Sequence, residues 1–197
     1  MQQFTIGILV FDNVEELDFI GPLEVFGIAK EQGAPCKTVL VAKSHGEVSA
    51  HYGLRFHPEA TLASCPPLDL LIVPGGPGAR GPARHDGAII EFIRKQTGMV
   101  ASVCTGALIL ASARLLDGKC ATTHRNRLDM LAEYAGVEVD GKNRVIFEGR
   151  VATSAGITAG IDLSLAIVAR EWGLEMAEKV ATFLEWDRAG EWQEALV

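Results

Sequence analysis

Among the residues of this sequence that could do chemistry, Cys104 has the most suggestive setting, Ser102-Val103-Cys104-Thr105-Gly106. Before it, residues 99–103 are a short run of β-forming residues. After it, Ala107, Leu108, Leu110 and Ala111 follow a helical pattern. A buried strand that turns sharply into a helix strains the backbone of its corner residue and pushes that side chain out of the sheet. A thiol at such a corner lies against the positive end of the helix dipole, which favours the nucleophilic thiolate. A small apolar cysteine closing a strand gives the same pattern, so this stretch alone weighs nucleophile and packing residue evenly.

Other chemistry-bearing residues are scattered. Glu15, Glu16 and Asp18 precede the first helix and, taken alone, read as a solvated helix entrance where carboxylates suit the dipole. Pro74-Gly75-Gly76-Pro77-Gly78 matches neither the dinucleotide fingerprint nor the P-loop. The use left to it is to offer backbone N–H groups at the carboxyl end of a sheet, where open α/β sheets place their sites. His124 closes the run 119–124, a short strand expected to reach the same sheet edge, and reads as a hydrogen-bonded structural residue. His45, His51 and His57 share no ligand spacing and are expected on the surface. Cys36, Cys65, Cys104 and Cys120 form no CxxC pair, so neither a zinc site nor, in a reducing compartment, a disulfide is expected.

The elements that must position these residues are legible from apolar patterning. Residues 4–11 and 69–73 are apolar without alternation, as in parallel strands covered on both faces, and residues 37–42 read as a further strand. A helix is expected after Pro22, with Leu23, Phe26 and Ile28 on its apolar side and Gly33 and Pro35 ending it. Further helices carry Ile89, Ile90 and Ile93, then the run from Ala107 to about Gly118, then 127–134. Residues 144–147 and 151–153 flank Glu148-Gly149 as a hairpin. Ile161, Leu165, Val168 and Trp172 form one stripe, and Met176, Val180, Phe183 and Leu184 another. Trp192 reads as exposed in the tail. This alternation predicts one α/β domain over residues 1–197, a doubly wound, mostly parallel sheet with helices on both faces and Cys104 at its strand-to-helix elbow.

The 197 residues are 48% hydrophobic and 22% charged, which suits a compact core. A formal net charge of −7 without a Lys/Arg cluster argues against nucleic acid. No apolar run is long enough to span a bilayer, and the start lacks a basic signal-peptide region, so a cytoplasmic protein is expected.

Three stretches together resemble the ThiJ/PfpI superfamily, whose fold is related to class I glutamine amidotransferase domains. They are Glu15-Glu16-Leu17-Asp18 with Gly21-Pro22, Pro74-Gly75-Gly76, and Ser102 to Gly106. Thr122-Thr123-His124 and Ala155 to Gly160 add to the match. Within the superfamily the SVCTG, LLDGKxATTH, Pro66-Pro67-Leu68-Asp69 and GITAGID stretches look like the isocyanide (isonitrile) hydratase branch. The peptidase branch carries His directly after its Cys; here that position is Thr105, which argues against proteolysis. The resemblance implies a flavodoxin-like fold and hydration of an isocyanide to an N-substituted formamide. It implies Cys104 as nucleophile and Asp18 as acid and base, with Gly75, Gly76 and Thr105 offering backbone N–H groups and His124 in a supporting role. It implies a small-molecule substrate, a homodimer, and no metal or organic cofactor. A cofactor-independent glyoxalase acting on methylglyoxal, and a non-enzymatic redox or stress-response protein using the same Cys, are the alternatives. Some transcription regulators share the fold, but no helix-turn-helix pattern follows the last helix.

Overall fold

A computed structural model describes residues 3–187 and 193–196, so Trp192 lies outside the described residues. Seven strands form the central sheet: β1 (Phe4–Leu9), β2 (Cys36–Ala42), β5 (Ala60–Thr61), β6 (Leu70–Val73), β7 (Met99–Val103), β10 (Val145–Glu148) and β11 (Val151–Ser154). Their order is β10-β11-β7-β6-β1-β2-β5. All neighbours run parallel except β10 against β11, the expected hairpin.

The unbroken apolar reading of the central strands has a direct cause. Successive strand side chains point to opposite faces, and both faces are covered. On β6, Leu70 and Ile72 enter one core with Ile6, Phe26 and Leu163, while Leu71 and Val73 enter the other with Leu108 and Ile109. All four β6 side chains are fully buried. Helices α1 (Glu16–Glu31), α6 (Ala159–Trp172) and α7 (Leu174–Phe183) contribute to the first core. Helices α3 (Gly87–Arg94), α4 (Gly106–Ser112) and α5 (Leu128–Ala132) contribute to the second, and the single turn α2 (Pro77–Arg80) adds Ala79 to it.

Some elements differ from expectation. Helix α1 begins at Glu16 and runs through Pro22 rather than after it. Pro22 removes only the amide that would bond the Asp18 carbonyl, and the helix axis carries on, which places Asp18 on the first turn. The strand at 119–124 is shorter, β8 (Lys119–Ala121), and pairs with β9 (Val137–Val139) in a separate two-stranded sheet rather than extending the central one. The central sheet is closed on that side by the hairpin, since β11 takes the place beside β7. Residues 45–57 do form the loop with a short β-excursion that their pattern suggests, a small antiparallel pair of β3 (Val48–Ser49) and β4 (Arg55–Phe56). On α7, Phe183 is 60% exposed, off the buried face carried by Ala177, Val180 and Ala181.

No described helix is long and apolar enough to cross a membrane.

Candidate active site

The strands β11, β7 and β6 are neighbours, and their carboxyl ends set Ile157, Cys104 and Gly75 side by side. The next strand, β1, leads into α1, whose first turn brings Asp18 to the same place.

Cys104 occupies the elbow with φ +55°, a left-handed conformation that costs a non-glycine residue about 1–3 kcal/mol. Its surroundings hold it there. The Cys104 N–H donates to the Ser154 and Ala155 carbonyls at 3.1 Å each, and its carbonyl accepts the Thr123 hydroxyl at 2.8 Å. Gly106 lets α4 start against the end of β6, because a Cβ there would run into the Val73 carbonyl.

Asp18 is not part of a solvated helix entrance; it is fully buried. Its Oδ2 accepts the Gly75 N–H at 2.9 Å, and its buried Oδ1 has no hydrogen-bond partner. Burial pushes the carboxyl from 3.8 up to about 7, with Glu15 adding to the rise and the Gly75 amide, the Cys104 thiol and Arg80 opposing it. The rise corresponds to about 4 kcal/mol. A helix N-terminus returns only about 0.3–1 kcal/mol to a carboxylate, so desolvation wins.

The same ordering corrects the expectation of a ready thiolate at Cys104. Burial, and then the charge of Asp18, push the thiol up to about 12. The N–H groups of Thr105 and Ile157, which face the sulfur, pull the other way without prevailing. No hydrogen bond of full geometry joins Asp18 to Cys104. Their contact is electrostatic, close enough that each raises or lowers the other's proton affinity. Acid and thiol therefore titrate as one coupled pair that keeps a single proton over a wide range above neutral pH. Such a pair can deliver a proton and a sulfur nucleophile to the same atom.

The glycine amides expected to be free are engaged. Gly75 N–H holds Asp18, and Gly76 N–H donates to the Thr105 hydroxyl at 3.0 Å. That hydroxyl in turn donates to the Gly76 carbonyl at 3.4 Å, so it faces the glycine loop rather than the sulfur. Buried amides must be paired, and here they are paired within the fold. The donors aimed at sulfur are the Thr105 amide, as expected, and that of Ile157, which no local signal in the sequence singles out. Ile157 holds φ +52°, unusual for a β-branched side chain.

A cavity of about 190 Å³ opens at Cys104 and is lined by Gly76, Arg80, His124, Arg127 and Ile157 among others. His124 Nδ1 accepts the Asn126 N–H at 3.1 Å, and its ring packs against Gly156, where a Cβ would strike it. Burial and then Arg127, Arg125 and Arg80 hold its pKa below the usual value. His51 is on the surface, as expected, yet it also lines the cavity with Tyr52 and Glu15. Glu16 fixes that rim by accepting the Tyr52 N–H at 2.7 Å. Arg80, Arg127 and the 51–52 pair belong to no local motif, so only folding reveals them. Among the described residues, no group of three His, Cys, Asp or Glu side chains is placed to hold a metal ion.

The sequence profile of the DJ-1/PfpI family matches residues 5–170. The isonitrile hydratase of Pseudomonas putida is 39% identical over 184 residues, spanning 92% of this chain and 78% of the hydratase. The crystal structure of a ThiJ/PfpI family protein from Pseudomonas syringae superposes with a TM-score of 0.86 at 33% identity, covering 95% of this chain and 76% of that one. The HTH-type transcriptional regulator GbdR of Pseudomonas aeruginosa is 28% identical over 93% of this chain, which spans 51% of the regulator's length.

Proposed function

Because the chain belongs to the DJ-1/PfpI family, we propose that it is an isocyanide hydratase, converting an isocyanide to an N-substituted formamide at Cys104 and Asp18. The observation that carries this reading is the buried acid–thiol pair opening on a small cavity. The 39% identity to the Pseudomonas putida isonitrile hydratase supports it.

The terminal carbon of an isocyanide accepts both a nucleophile and a proton. In this mechanism the Cys104 sulfur forms a bond to that carbon while the proton shared with Asp18 goes to the same carbon. The product is a thioimidate, with carbon bound to sulfur, hydrogen and the imine nitrogen. Asp18, now a carboxylate, takes one proton from water as the water oxygen attacks the thioimidate carbon, and passes that proton to the nitrogen. Collapse of the tetrahedral adduct breaks the carbon–sulfur bond, releases the formamide and returns the proton to the acid–thiol pair. The Thr105 and Ile157 amides stabilise negative charge on the sulfur before attack and as it develops again at departure. His124 shapes the cavity wall, its Nδ1 occupied by Asn126.

The raised pKa and burial of Cys104 disfavour the redox alternative, which calls for an accessible thiolate. The reading extends to a cytoplasmic homodimer, as the resemblance implies; light scattering on the purified protein tests the dimer. The activity test is formamide production from a small isocyanide by wild type, Cys104→Ala and Asp18→Asn. Turnover by wild type and its loss, by at least about 10³-fold, in Cys104→Ala is expected. A folded wild type that turns over no isocyanide overturns the reading.

A further inference from the structure

The cavity at Cys104 carries two arginines on its wall. Arg80 and Arg127 line it, together with His51, His124 and a single carboxylate, Glu15. Arg80 is half-buried, and its guanidinium makes no hydrogen bond or ion pair among the described residues. Arg127 donates only to the neighbouring Asn126 carbonyl, at 2.8 Å, which leaves most of its donors unused. Both guanidiniums, with Arg125 beside them, are close enough to act on His124. The Glu15 carboxylate faces the same group of cations and feels Arg80 and His51. Away from the acid–thiol pair, two guanidiniums face one carboxylate on this wall.

An alkyl or aryl isocyanide filling this space would strip water from guanidiniums and give them nothing in return, an unfavourable exchange. A planar anionic group would accept their N–H donors in the geometry guanidinium favours. Resting on the hydratase reading, we infer that the substrate is a small isocyanide bearing a carboxylate, held by Arg80 and Arg127 while its terminal carbon meets Cys104. The cavity volume of about 190 Å³ fits such a short molecule.

The test compares isocyanoacetate with its uncharged methyl ester, under identical conditions, in wild type, Arg80→Met and Arg127→Met. Wild type is expected to prefer the acid by about tenfold or more in kcat/KM, and 0.5 M salt should narrow that preference. In the arginine variants the acid-to-ester ratio should fall towards one, mostly through the KM for the acid. An ester turned over as well as the acid by wild type, or a ratio unchanged in both variants, overturns the inference and leaves the hydratase reading standing. Should neither isocyanide be turned over, the hydratase reading falls. Calorimetric titration of Cys104→Ala with N-formylglycine, the product of the acid, then decides the anion site separately. Binding that weakens on adding Arg80→Met supports it, and absence of binding overturns it.

Discussion

Asp18 lies fully buried against the Cys104 thiol, with one carboxyl oxygen held by the Gly75 amide at 2.9 Å and the other without a hydrogen-bond partner. Burial raises both groups, the Asp18 charge raises the thiol further, and the thiol in turn eases ionisation of the acid, so the acid sits at about 7 and the thiol at about 12. Between those values the pair carries one proton. That is the form the proposed attack requires, a proton and a sulfur nucleophile together. Isocyanide turnover, read as kcat/KM, is therefore expected to rise about tenfold per pH unit below neutral and to level off above pH 7–8. A profile flat from pH 5 to 8 contradicts the pairing.

Removing the acid's charge should release the thiol. In Asp18→Asn the carboxylate that pushes Cys104 upward is gone, while the Thr105 and Ile157 amides still face the sulfur. The pH dependence of iodoacetamide alkylation should then shift to lower pH by at least about one unit, the size of effect a neighbouring charge exerts. Mass spectrometry of the alkylated peptide reads Cys104 apart from the other three cysteines. An unshifted profile would show that burial alone governs the thiol.

The same substitution has a stability signature with a definite sign. The folded-state pKa of Asp18 lies above its ordinary 3.8, so between about pH 4 and 7 the folded chain binds more protons than the unfolded one. Stability from this group is full below pH 4 and is lost as pH rises through 7, by up to about 4 kcal/mol. Asp18→Asn carries no charge to bury. Its melting temperature should exceed that of wild type at pH 8 and converge with it near pH 4. Thermal denaturation at both pH values checks this.

Gly75→Ala tests how tightly the site is built. A Cβ there would stand 2.5 Å from the Thr105 amide nitrogen, 2.6 Å from its hydroxyl oxygen and 2.8 Å from Asp18 Oδ2. None of these can move without breaking the Gly75–Asp18 or Gly76–Thr105 hydrogen bond. The variant is expected to fold with a loss of about 1–3 kcal/mol and to lose at least about 10²-fold in activity. Denaturant melts and isocyanide assays on one preparation separate the two effects.

The fold was readable because its signals are local. Strands buried on both faces write continuous apolar runs, and residues 69–73 did so one residue away from β6. The elbow was readable for the same reason, since Cys104 and Gly106 sit at one turn. Asp18 was not: three acids before a helix look alike until the sheet order places one of them beneath the β6 loop. Composition alone favoured a solvated entrance, and only the family pattern pointed to that position. The thiol's pKa is not legible in the sequence, because a helix dipole is a sequence-visible effect and burial is not. Arg80, Arg127 and Ile157 carry no local signal, because α2, the turn before α5 and the loop after β11 meet only in the folded chain. The run 119–124 misled because short strands carry no mark of which sheet they join.

One ion pair outside the cavity ties the loop carrying Ile157 to the rest of the fold. Arg144, just before β10, donates through Nε to Asp162 Oδ2 at 2.9 Å and through a terminal nitrogen to the Thr158 hydroxyl at 3.3 Å. Asp162 is fully buried on the first turn of α6 and also accepts the Trp186 indole N–H at 2.9 Å. Breaking a buried pair leaves a desolvated partner, typically at 3–5 kcal/mol. Arg144 keeps some exposure, so Asp162→Ala is expected near the low end, about 3 kcal/mol. For a chain of this size that is a fall of about 6–12 °C in melting temperature. Trp186 should lose its partner, and intrinsic fluorescence should shift to the red. Because Thr158 adjoins Ile157, the amide facing the Cys104 sulfur should also lose its fixed aim, raising the thiol pKa further. Alkylation of Cys104 should accordingly slow at pH 8 while the protein remains folded at 20 °C. Alkylation as fast as wild type, in a variant destabilised as expected, would mean that the clamp serves stability alone.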